Sequence, residues 1–197
     1  MPSAAGARWG SKDATSRSAD QRVRWTLTDA PRRAPETSRP DNNHGHGSTY
    51  RTLARTRGVS IVDVHCLWHA GARYRERFQT FGLSLVRRGV FVRHTRLADQ
   101  VGDPTAALFE QPGHERWVSH PLAVPGSTSV IVLSAEAMAR YTGDVCMPDR
   151  PIPVSPAIRL HHADLLAGLR SGSDEGELDA RLTWLIGCLV EADSPGR

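Results

Sequence analysis

Apolar side chains recur at every second position in Phe81, Leu83 and Leu85, stop at Arg87, Arg88 and Gly89, and resume over residues 90–92. Alternation of period two marks a half-buried strand, and the glycine-containing break predicts a turn, so residues 81–92 read as a β-hairpin. Gly89 supplies the positive φ that such a turn needs. Two shorter runs, residues 106–109 and 116–118, are set off by Asp103-Pro104 and Gln111-Pro112-Gly113. Val59–Leu67 is strand-like through Val59, Ile61, Val62 and Val64, and residues 127–133 form another β-branched run. Residues 71–79, polar and arginine-rich, read as a connection. Short strands between proline and glycine turns predict a sandwich or barrel.

The period changes after Met147. Pro148, Pro151, Pro153 and Pro156 mark a loop in which continuous helix is disfavoured. Ser155 then offers an N-cap with Pro156 at the first helical position. Ile158, His162, Leu165, Leu166 and Leu169 follow at helical spacing, and Gly172 stops the run. Asp174 and Glu177 form a capping arrangement before a second helix, whose stripe is Leu178, Leu182, Leu185, Ile186 and Leu189. Two such helices joined by a short loop predict an antiparallel pair.

Residues 1–57 lack regular apolar periodicity and read as a disordered leader. The charge sits there: 11 basic against 5 acidic residues, or +6, whereas the remainder has 14 against 16, or −2. A mildly acidic folded part weighs against a nucleic-acid platform, although a basic arm could contact phosphates. Composition, 39% hydrophobic and 23% charged, is that of a soluble globular protein. No apolar run approaches the roughly 18 residues needed to span a bilayer. The start lacks an apolar signal segment, and Cys66, Cys146 and Cys188 form no disulfide framework, so a reducing cytoplasm is the expected compartment.

The stretches LVRRGVF (residues 85–91), Asp103-Pro104 and VSHP (residues 118–121), with Val59 to Cys66 ahead of them, resemble the N-terminal sensing and dimerisation domain of AraC-type transcription regulators. The resemblance covers roughly residues 58–193. It implies a mostly β fold, a small cupin-like β-barrel over residues 58–147, then a proline-rich connection and helical pair over residues 148–193. It also implies a homodimer, or a heterodimer with a full-length relative, with Leu178, Leu182, Leu185 and Leu189 at the contact. Helices packed only on their own barrel are the competing expectation. Four residues follow the second helix, where the family carries helix-turn-helix units. The chain is therefore expected to act as a truncated or split regulator that meets DNA only indirectly.

Catalytic chemistry has little to build on. No nucleophile elbow, phosphate-binding glycine loop or zinc-protease helix motif is present. His44-Gly45-His46 is an H-x-H pair, but it precedes every barrel strand. Gln111-Pro112-Gly113-His114 loosely matches only the second metal-cupin motif, and His65 and His69 lie well apart along an extended chain, so no metal or other cofactor is expected. A ligand pocket in the barrel mouth is the stronger expectation, with Trp68, Tyr74, His94, Trp117 and His120 as candidate contacts. The function expected is non-catalytic sensing of a small-molecule effector in the cytoplasm. The alternative is a small metal-dependent cupin enzyme or small-molecule-binding protein.

Overall fold

A computed structural model describes residues 47–67, 70–143 and 145–193, together with the backbone of residues 22–24. Its strands are β1 (Arg22–Arg24), β2 (Gly47–Thr56), β3 (Val59–Leu67), β4 (Arg73–Arg77), β5 (Phe81–Arg88), β6 (Phe91–His94), β7 (Asp99–Gly102), β8 (Ala106–Glu110), β9 (Glu115–Ser119), β10 (Gly126–Leu133) and β11 (Ile152–Pro153). They form a six-stranded sheet, β11-β8-β5-β10-β3-β2, and a five-stranded sheet, β1-β4-β9-β6-β7. Three helices complete the described residues: α1 (Ala135–Thr142), α2 (Pro156–Ser171) and α3 (Glu175–Asp193).

The larger sheet is apolar on both faces, and the two faces do different jobs. Register pairs Ile131 with both Ile61 and Leu83, while Val130 stands opposite Val62 and Ser84. Because side chains alternate along a strand, Val59, Ile61, Leu83, Leu85, Phe109, Ile131 and Leu133 share one face. The helices cover that face with Ile158, Leu165, Leu178, Leu182, Leu185, Ile186 and Leu189, and the whole forms one buried cluster. Full burial of each such side chain is worth about 1.5–3 kcal/mol. The main core therefore lies outside the barrel, between its larger wall and the helices. The opposite parity, Val62, Val64, Ser84, Val130 and Val132, faces a hollow between the sheets.

The expected helix ends are found. Ser155 Oγ accepts from Ile158 N at 3.2 Å, Gly172 ends α2 in the left-handed region (φ 82°), and Asp174 Oδ1 accepts from Glu177 N at 2.9 Å. These contacts satisfy backbone donors and acceptors that a helix terminus leaves open.

Several expectations need correction. Residues 81–92 supply two strands but no hairpin: β5 pairs with β10 and β8, whereas β6 pairs with β7 and β9 in the other sheet. Gly89 (φ 87°) is the corner where the chain passes between sheets, and a Cβ there would lie 2.9 Å from Gly126 Cα. The arginine-rich connection is largely β4, because its arginines alternate with inward-facing Tyr74 and Glu76. Helix α1, capped by Ser134 and ended at Gly143, has no counterpart in the periodicity; eight residues are too few to establish one. The leader was expected to run to residue 57, yet Gly47–Thr56 forms β2, held on the edge of the sheet by backbone pairing with β3. Residues 1–46 of that leader, β1 apart, lie outside the described residues. Leu178, Leu182, Leu185 and Leu189, expected at a dimer contact, are 4% exposed or less within the single chain, spent on its own core. The molecule is mostly β, a cupin-like two-sheet barrel with helices at its C-terminal end.

Candidate functional site

The hollow between the sheets offers about 80 Å³ to the centres of water-sized groups. At roughly 30 Å³ per water that is room for two or three. Val62, Val64, Val118, Val130 and Val132 with Phe78 and Phe91 make its walls apolar, while Ser48, Tyr50, Tyr74, Thr128 and His120 add hydrogen-bonding groups. Glu76 and Glu110 also border it.

Glu110 is the centre of a buried ionic network. It is 2% exposed, and Arg93, which contacts it, is 1% exposed. Arg93 Nη1 donates to Glu110 Oε2 and to the Phe109 carbonyl, both at 2.9 Å, and Arg93 Nε donates to Gln100 Oε1 at 2.7 Å. Arg116 Nη1 also pairs with Glu110 Oε2, and Arg116 Nη2 reaches Glu76 Oε2 at 3.0 Å. Gln100 Nε2 donates to the Asp149 carbonyl, and Arg93 Nη2 lies 3.7 Å from the Asp149 carboxylate. The network thus runs from the hollow to the connection preceding α2. Burial pushes the Glu110 carboxyl up to about 7, with Arg116 and Arg93 pulling the other way. Removing water from a carboxylate costs several kcal/mol, which two guanidiniums and their hydrogen bonds offset only in part.

Of the residues expected at a pocket, Tyr74 and His120 line the hollow, their rings stacked with centroids 6.0 Å apart. The His120 backbone pins the loop after β9 to residues 71–72: its N donates to the Ala72 carbonyl and its carbonyl accepts from Gly71 N. Burial pushes the His120 imidazole down to about 4, so it is neutral at neutral pH. His94 and Trp117 do not line the hollow. They face each other across β6 and β9 at positions alternating with inward-facing Arg93, Arg116 and Val118. There His94 bridges Asp99 and Ser119, at 2.8 and 2.7 Å, and Arg73 lies over Trp117. Trp68 and His69 lie outside the described residues, as do His44 and His46. His65 faces away from the hollow beside Asp63, at 3.2 Å, and His114 is exposed in the turn before β9. Among the described residues, no three histidine, cysteine or carboxylate side chains converge as a metal ion would require.

Glu76, Arg93, Gln100, Glu110 and Arg116 escaped sequence reasoning. The available clue was parity: Arg93 stands two residues after Phe91, and Arg116 two before Val118, so each charge occupies an apolar phase.

A second hollow of about 320 Å³ opens between α1, residues 145–147 and the ends of β5 and β8. Phe81, Phe109, Met138 and Met147 line it, and Glu110 borders this space as well. Its lining brings fewer polar groups together, so the barrel hollow is the better candidate for specific binding.

Two facing sheets, a partly polar hollow and a helical backing make the chain a cupin-like barrel protein. Comparison with solved structures finds partial likenesses. A cupin domain of Schizosaccharomyces pombe Cnp3 matches with a TM-score of 0.40 and 10% identity over 52% of this chain and 71% of that one. The Clostridium difficile EutQ protein matches at 0.39 and 8%, over 46% and 71%. A cupin domain from Bordetella pertussis matches at 0.37 and 14%, over 45% and 95%. Likeness at this level passes no activity, ligand or partner to this chain. No family model matches it, and no curated protein does. No helix among the described residues is long and apolar enough to cross a membrane.

Proposed function

We propose that the chain is a non-catalytic effector-sensing module, related to the sensing and dimerisation domain of AraC-type transcription regulators. The observation that carries this reading is the hollow itself, lined by Tyr74, His120, Glu76 and Glu110 and enclosed by a wall whose other face anchors the helices. A small molecule entering it meets apolar surface and a few fixed polar groups, the usual composition of a binding site. Tyr74 and His120 are assigned to effector contact. The Glu110–Arg93–Asp149 chain gives occupancy a route to the loop before α2. The effector then acts by population shift, favouring the arrangement it binds best. On this reading the protein works in the cytoplasm as a homodimer or beside a full-length relative, and DNA is reached through the partner. The dimer face must be other than the buried leucine stripe.

Thermal unfolding against a library of small metabolites tests the assignment. A true effector stabilises the wild type by mass action, by about 2.7 kcal/mol at one hundred times its Kd, and so raises its melting temperature. It fails to do so in Thr128→Phe, which fills the hollow. Wild-type protein that no metabolite stabilises would refute the reading.

One observation favours a second reading, a small enzyme: a carboxyl with its pKa near neutrality beside a cavity is a common acid–base group. Chemical conversion of a stabilising ligand, lost in Glu110→Gln, would select the enzyme.

A further inference from the structure

The charges around the hollow are unevenly placed. Carboxylates border it, whereas the arginines that pair with them stand behind. Both guanidinium contacts to Glu110 fall on Oε2, as do the Arg116 contacts to Glu76. Oε1 of Glu110 has a contact to Ser84 Oγ at 3.4 Å, long for a hydrogen bond to a charged oxygen. At the hollow two guanidiniums stand behind two carboxylates, and the carboxylates are the nearer to the enclosed space. Carboxylates alone would not make a site; what makes one is the enclosed space they border and the aromatic rings of Tyr74, Phe78 and Phe91 around it. Aromatic faces attract cations, and this attraction grows where water is excluded. An incoming anion would meet like charge in a setting of low dielectric, where repulsion is poorly screened.

We infer that the hollow takes a small organic ammonium ion, its cationic head between Glu76 and Glu110 and its carbon skeleton against the valine and aromatic walls. This deepens the reading of the barrel as a binding module and rests on it. The valine and phenylalanine walls suit a short alkyl skeleton behind the ammonium head.

The test uses three probes of one size, n-propylammonium, n-propanol and propionate, at matched ionic strength and a pH well above the value of about 7 to which burial pushes Glu110. Propylammonium is expected to raise the melting temperature of the full chain saturably, with the other two giving no shift. Glu76→Gln, which keeps the shape and spares the more buried Glu110, should weaken the ammonium by about tenfold. Thr128→Phe should abolish the shift. Equal or greater stabilisation by propanol or propionate overturns the inference, as does unchanged affinity in Glu76→Gln. If a library compound that is neutral or anionic stabilises the wild type but not Thr128→Phe, the charge assignment falls and the binding module stands. If compounds of every charge leave the wild type unshifted, both fall together.

Discussion

Arg93 condenses the chemistry of this barrel into one side chain: a permanent cation with almost no exposure, held by a glutamate, a glutamine and a carbonyl. Two histidines show the opposite solution to burial, losing charge instead of pairing it. Burial pushes His162 down to about 4, with Arg87 adding to the effect, and His120 to a similar value by burial alone. Between about pH 4.5 and 6.5 the unfolded chain protonates both while the fold refuses both, so stability rises with pH. Glu110 runs the other way, protonated in the fold and ionised in the unfolded chain over that window, so its share falls as pH rises. Two protons against one leave a net rise on the order of 1 kcal/mol per pH unit. Urea unfolding across the window should show that slope in the wild type and a nearly flat profile in His162→Phe. Tyr74 and His120 were named from the sequence for their aromatic and hydrogen-bonding side chains, and both border the hollow. The buried charges were not, since an arginine in a short strand reads as solvent-facing until the parity of its neighbours is fixed.

Elements whose ends carry local chemistry were read well, as Ser155, Gly172 and Asp174 show for α2 and α3. Strand positions were also readable, for β3, β5, β8, β9 and β10. Pairing was not, because a glycine corner between sheets and a hairpin turn write the same local sequence. At Gly89 the two differ physically: its φ of 87° is strained for other residues, and a side chain would press on Gly126 where the loop passes. A hairpin tip would accept a small residue there; this corner should not. Gly89→Ala is expected to lower stability by at least about 1–3 kcal/mol in chemical denaturation, through backbone strain before any clash is counted.

For the whole molecule, a β-rich barrel followed by helices was within reach of periodicity, but the place of the helices was not. A leucine stripe announces that it will be covered without naming the cover. Here the cover is the chain's own larger sheet. Leu185→Ala should therefore cost about 2–5 kcal/mol of unfolding free energy, the range for a large-to-small change in a packed core. Light scattering should give the variant the same mass in solution as the wild type. A drop in mass with little loss of stability would instead place that stripe between subunits.

Because β3, β5 and β10 assign alternate side chains to anchorage and to enclosure, the two sets can vary separately. Val62, Val64, Thr128 and Val130 can be diversified while Ile61, Leu83 and Ile131 keep the wall fastened to the helices. Such a scaffold lets selection explore new chemical preferences without first having to restore lost foldability.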